Sequence, residues 1–140
     1  MTIAYAVEPE LSAEAFVDVL KRSGLAARRP VDEPSRIAAM LRHADLIATA
    51  RDPDRDGQLV GVSRCITDFA FCCYLSDLAV DTAYQGRGIG SGLIDASRAR
   101  LDNGCSFFLI SAPQAVGFYE RLDMPRIDLA FGWLTPAAVT

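Results

Sequence analysis

This 140-residue chain has one lysine, Lys21, one histidine, His43, and one tryptophan, Trp133. With lysine confined to position 21, no lysine-dependent phosphate loop of the G-x-x-x-x-G-K-[ST] type can be built. A lone histidine and four cysteines (Cys65, Cys72, Cys73 and Cys105) without a C-x-x-C spacing argue against a structural zinc site and against a Cys–His nucleophile pair. No metal is therefore expected. The cysteines read as small apolar residues in a reducing compartment. No apolar run approaches the roughly 20 residues that span a bilayer. The opening stretch MTIAYAVEPE has neither the basic nor the apolar region of a signal peptide, so no membrane association and a cytoplasmic location are expected. Basic residues are not interleaved with aromatics, and the net charge is -4, so no nucleic-acid partner is expected.

What is present is a soluble-domain composition, 51% hydrophobic with mixed charges, and a length that fits one domain over 1–140. The pattern predicts strands at 3–7, 45–52, 58–67, 71–80, 106–112 and 126–134. It predicts helices at 12–24, 35–44, 88–104 and 113–122. Ser12 caps the first helix and Gly24 ends it; Pro113 opens the last. This order of elements implies an α/β (α+β) fold with a mixed sheet and helices on its faces.

The segment VDTAYQGRGIGSGLI, residues 80–94, has glycine at 86, 88, 90 and 92, where a helix begins. Glycine inside a helix costs roughly 1 kcal/mol relative to alanine. Two readings account for the run. Backbone N–H groups at the helix start can cradle a phosphate, or the glycines permit a tight turn and close helix–sheet packing. Neither G-x-G-x-x-G, which breaks at Ser91 and Leu93, nor G-x-S-x-G is satisfied.

The hexapeptide Gln85-Gly86-Arg87-Gly88-Ile89-Gly90 is a Q-x-x-G-x-G sequence. With the preceding strand YLSDLAVDTAY and the later SFFLISAPQAVGFYERLDM, which contains Ala115 and Phe118-Tyr119, it resembles the GNAT superfamily of acyl-CoA-dependent N-acetyltransferases. The resemblance implies the GNAT fold, acetyl-CoA as cosubstrate, and an amine of a small molecule, peptide or protein as acceptor. It assigns the cofactor pyrophosphate to the loop Gln85, Gly86, Arg87, Gly88, Ile89, Gly90 and Ser91. It assigns the pantetheine and acetyl carbonyl to the backbone of Leu78, Ala79 and Val80, places Phe118 at the cofactor, and makes Tyr119 the acid for the leaving thiolate. Ala112 stands where the family often has asparagine, and Asp123-Met124 where it usually has Gly-Phe.

Among the carboxylates, Asp77 is expected to bind or deprotonate the amine, because an ionised group in an apolar strand needs a partner or a wet cleft. Its other reading is a hydrogen bond to a loop or a place near the sheet's open edge. Tyr119 also reads as an aromatic on a helix core face, and Arg87 as a solvated loop residue. Tyr74 reads as an acceptor-site or core residue. Phe131 and Trp133 are expected in the core, with an acceptor pocket or the seam of a homodimer as alternatives. The segment 24–36 is expected to shape the acceptor site. Two other functions remain open on the sequence: a CoA-sensing module without catalysis, and a partner-binding domain.

Overall fold

The computed structural model describes residues 2–135, which group into two compact units meeting at Leu109/Ile110. The first unit holds a five-stranded sheet in the order β1-β2-β3-β4-β5. Its strands are β1 (Ala4–Val7), β2 (Leu46–Asp52), β3 (Gln58–Thr67), β4 (Cys72–Val80) and β5 (Ser106–Leu109). The first four pair antiparallel as neighbours, and β5 joins β4 in parallel. The mixed sheet expected from the pattern is therefore present.

Three helices accompany the sheet: α1 (Ala13–Ser23), α2 (Pro34–Arg42) and α3 (Ile89–Arg98). Ser12 caps α1 by accepting from the Ala15 N–H at 3.1 Å, and Gly24 ends it in a left-handed conformation. The apolar stripe of α1 buries Phe16, Val19 and Leu20 in a cluster with Ile37, Ile47, Val62 and Ala79. A separate cluster joins Ile89 and Leu93 of α3 to Ala48, Ala50, Val60 and Tyr84. Burying each Val, Leu, Ile or Phe side chain among these contributes about 1.5–3 kcal/mol. Cys65 and Cys73 lie fully inside, and all four cysteines are free thiols. Burial pushes the Cys73 thiol up to about 12, which keeps it protonated and unreactive.

The β3–β4 connection is organised by Asp68. Its carboxylate accepts from the N–H groups of Phe71 (2.8 Å), Cys72 (3.1 Å) and Ala70 (3.0 Å). These bonds favour the anion and hold the carboxyl below its ordinary range. With the folded pKa lowered, the contribution is complete above the unfolded value of about 3.9 and is lost as pH falls through the folded one. Asp68→Asn keeps an acceptor oxygen that does not titrate. It is expected to flatten the fall of Tm below about pH 4. An acid limb identical to wild type would show that this turn is not what acid releases.

Several sequence expectations are corrected. Helix α3 ends at Arg98, not near 104, because Arg100 and Leu101 donate to the carbonyls of Ser97 and Arg98 and tighten the chain into a turn. The strand expected at 106–112 stops at Leu109. In the second unit a 3-10 turn (Pro113–Ala115) leads into the short helix α4 (Val116–Arg121). Residues 126–134 form no strand, since a strand exists only where a neighbour takes its backbone groups. Phe131 and Trp133 are not core residues: their relative exposures are 98% and 105%.

Candidate functional site

The site is built around the far half of β4. Its pairing with β5 ends at Leu75↔Leu109, while its pairing with β3 continues to Val80. Across the β3–β4 ladder, Arg64 faces Asp77 and Cys65 faces Leu75, so Ser76 is an extra residue, a β-bulge. The Asp81 N–H donates to the Val60 carbonyl at 2.8 Å. Antiparallel alternation then commits the Ala79 backbone to β3 and turns the backbone groups of Leu78 and Val80 to the opposite edge. The Val80 carbonyl accepts from Gln85 Nε2 at 3.1 Å. Of the three residues expected to offer backbone groups, Leu78 and Val80 face outward. Ala79 does not, and its side chain is buried.

Beyond Val80 the chain enters the glycine-rich loop. Asp81 caps a 3-10 turn (Thr82–Tyr84) by accepting from the Ala83 N–H at 2.9 Å. Arg22 reaches from α1 to Asp81 (2.5 Å) and to the Leu59 carbonyl (2.7 Å). The Tyr84 hydroxyl donates to Asp52 at 2.5 Å, which lowers the Asp52 carboxyl and raises the Tyr84 phenol. The Arg87 guanidinium sits 5.2 Å from the Tyr84 ring centroid.

Gly86 and Gly88 both have φ +79°, and Gly88 immediately precedes α3. Side chains at those positions would have open space, so it is the left-handed backbone that requires glycine. The reason at Gly92 is different: a Cβ there would run into the Tyr5 ring. The glycine run thus serves both turn geometry and close packing. The first intrahelical bond runs from the Gly92 N–H to the Gly88 carbonyl at 2.9 Å. The N–H groups of Ile89, Gly90 and Ser91 therefore have no acceptor within the helix and lie at its positive dipole end. Ile89 presents only its backbone at this helix start, its side chain being buried against the sheet. Gln85 spends its side-chain amide on Val80, locking the loop to the strand.

Asp77 does not sit in a wet cleft. It is 1% exposed, and its two carboxylate oxygens accept from Nε of Arg29 and Nε of Arg64. An enclosed carboxylate held by two guanidiniums cannot approach an amine, so its expected role as base is replaced by that of an ion-pair centre. Sequence reasoning missed Arg29 and Arg64. The signal was a charged residue in an apolar strand, which demands a partner without naming it. Tyr74 is half-buried, with its ring centroid 5.7 Å from that of Phe108.

The second unit carries Phe118 and Tyr119 on α4. Their rings meet edge to face, with centroids 5.0 Å apart. Asp123, where the resemblance expects glycine, takes φ +59°, a left-handed conformation that glycine adopts freely and aspartate tolerates. Among the described residues no group of three His, Cys, Asp or Glu is placed to hold a metal. Among them, too, no helix is long and apolar enough to cross a membrane.

Comparisons with known proteins bear on the family and the fold. Residues 44–123 match the family described as acetyltransferase (GNAT) domain. The chain is 31% identical over 135 residues to "GCN5-related N-acetyltransferase 2, chloroplastic" of Arabidopsis thaliana, covering 79% of this chain and 51% of that protein. It is 31% identical over 106 residues to "Histone acetyltransferase TAP1" of Glycine max, covering 68% and 44%. The chain thus spans about half the length of these curated relatives. A solved GNAT-family acetyltransferase of Streptococcus pneumoniae superposes with a TM-score of 0.77 at 20% identity, covering 96% of this chain and 99% of that one; it shares the fold.

Proposed function

We propose, from the premise that this chain belongs to the GNAT acetyltransferase family, that residues 1–140 work as one domain that moves an acetyl group from acetyl-CoA to a primary amine. The observation that carries this reading is the continuity of two donor sets. An outward-facing strand edge at Leu78 and Val80 runs into the uncommitted N–H groups at the start of α3. The left-handed turns at Gly86 and Gly88 bring backbone rather than side chains to that helix start, which suits a pyrophosphate.

Acetyl-CoA, when bound, supplies the activated acyl group. Leu78 and Val80 would pair with the pantetheine amides as a strand edge pairs with a peptide. The Leu78 N–H, farther from the glycine loop than that of Val80, would donate to the thioester carbonyl oxygen as negative charge develops on it. Tyr119 would return a proton to the leaving sulfur. Asp77 being enclosed, the amine is expected to lose its proton to water or to another group.

The four free cysteines support a reducing, cytoplasmic compartment. A homodimer is proposed to cover Leu129, Phe131 and Trp133, large apolar side chains that stand exposed in one segment. Sedimentation at about 10 μM should give a dimer that Trp133→Ser weakens, because aromatic anchors dominate such contacts. A wild-type monomer would refute this.

The reading is tested by thiol release from acetyl-CoA across a panel of polyamines, aminoglycosides, amino acids and peptide N-termini. Turnover with one class supports the enzyme. Binding of acetyl-CoA without turnover across the panel would favour a CoA-sensing module instead.

A further inference from the structure

We infer that Arg29, Arg64 and Asp77 form a positioning device for the thioester half of the cofactor slot, holding the β4 bulge that decides which amides face outward. The inference rests on reading the outward edge of β4 as the acetyl-CoA site. Its basis is the way two elements converge on Ser76. Arg29, from the segment between α1 and α2, donates from Nη2 to the Ser76 carbonyl at 2.8 Å and from Nε to Asp77. Arg64, on β3, donates from Nη2 to the Ser76 hydroxyl at 2.8 Å and from Nε to the other Asp77 oxygen. It also donates from Nη1 to the Met40 carbonyl in α2 at 3.2 Å. Both the carbonyl and the hydroxyl of the bulged residue are therefore held, and the adjacent carboxylate neutralises one of the two cations that hold them.

The bulge matters because side-chain and backbone directions alternate along a strand. Removing the extra residue from the ladder would shift the β3–β4 register by one beyond that point. The groups of Leu78 and Val80 would then turn toward β3, and those of Ala79 would turn out. A buried ion network is a poor source of stability compared with apolar residues of similar volume, but its bonds are directional. Here they converge on the single irregular residue next to the outward-facing amides. The glycine loop lies beyond this device, with its own supports at Asp81, Tyr84 and Gln85. Disturbing the device should therefore act on the thioester end and spare the phosphate end.

Arg29 is the member to test, because its side chain is 20% exposed whereas that of Asp77 is fully buried. Arg29→Gln, with folding checked by circular dichroism, is titrated with two probes, acetyl-CoA and ADP. ADP carries the pyrophosphate without the pantetheine. Affinity for acetyl-CoA is expected to fall roughly tenfold, since small misplacements of binding groups are costly. Affinity for ADP should stay within about twofold, its donors lying in the loop. Arg29→Lys keeps the charge without the two-pronged fork. It should recover part of the loss, and it carries the same comparison if the glutamine variant does not fold. Equal weakening of both probes, or unchanged acetyl-CoA affinity in a folded variant, overturns the inference. Wild-type protein that binds ADP but not acetyl-CoA overturns it as well. Wild-type protein that binds neither probe overturns the acetyl-CoA reading itself, and the inference with it.

Discussion

Gly88→Asp is expected to lower acetyl-CoA affinity at least 100-fold, about 2.8 kcal/mol, while leaving a folded domain. The backbone at Gly88 has φ +79°, where a side chain costs roughly 1–2 kcal/mol and aspartate is among the better tolerated residues. A Cβ there meets no neighbour within 4 Å, so the substitution adds no clash. The loss of affinity comes from the carboxylate. It would sit at the positive end of α3, where it can take up the N–H groups of the first turn and repel a pyrophosphate. Gly88→Ala separates the two effects, since it carries the backbone cost without the charge and should lose much less affinity. Thermal unfolding and titration of both variants check the prediction. A folded aspartate variant that binds as well as wild type would mean that phosphate is held elsewhere.

Tyr119→Phe is expected to lower kcat by up to roughly 100-fold once an acceptor is identified, with KM for acetyl-CoA nearly unchanged. The variant removes one hydroxyl and keeps the ring that meets Phe118 edge to face, so α4 keeps its packing. A thiolate is already a fair leaving group, with a thiol pKa of about 8.5, which limits what a proton donor contributes. The proton matters in the transition state and little in the ground state, which is why kcat moves and KM does not. An unchanged kcat, with chemistry shown to limit the rate, returns Tyr119 to a packing role.

Much of the glycine-rich loop is legible in the sequence because its determinants are local. Gln85 to Ser91 form one turn and the start of one helix, and the glycine run itself announces a tight turn at a helix start, while the left-handed backbone at Gly86 and Gly88 is seen only in the structure. The caps of α1 are local in the same sense. The surroundings of Asp77 are not local. Asp77 meets Arg64 from 13 residues away and Arg29 from 48. The need for a counter-ion can be read from an aspartate among apolar residues, but the choice of partner is made by the fold. The bulge at Ser76 is likewise invisible, since it is a property of two paired strands. Residues 126–134 show the converse. Ile127, Leu129, Phe131 and Trp133 alternate as a strand would, yet they stand exposed. Periodicity states which residues share a face and says nothing about whether a neighbouring strand is there to receive them.

The most direct measurement is a calorimetric titration of the wild-type chain with acetyl-CoA. A strand edge with outward amides leading to a helix start with uncommitted N–H groups predicts one site with a micromolar Kd, near -8 kcal/mol. Absence of heat, together with no shift in Tm at millimolar acetyl-CoA, would contradict the assignment of this site.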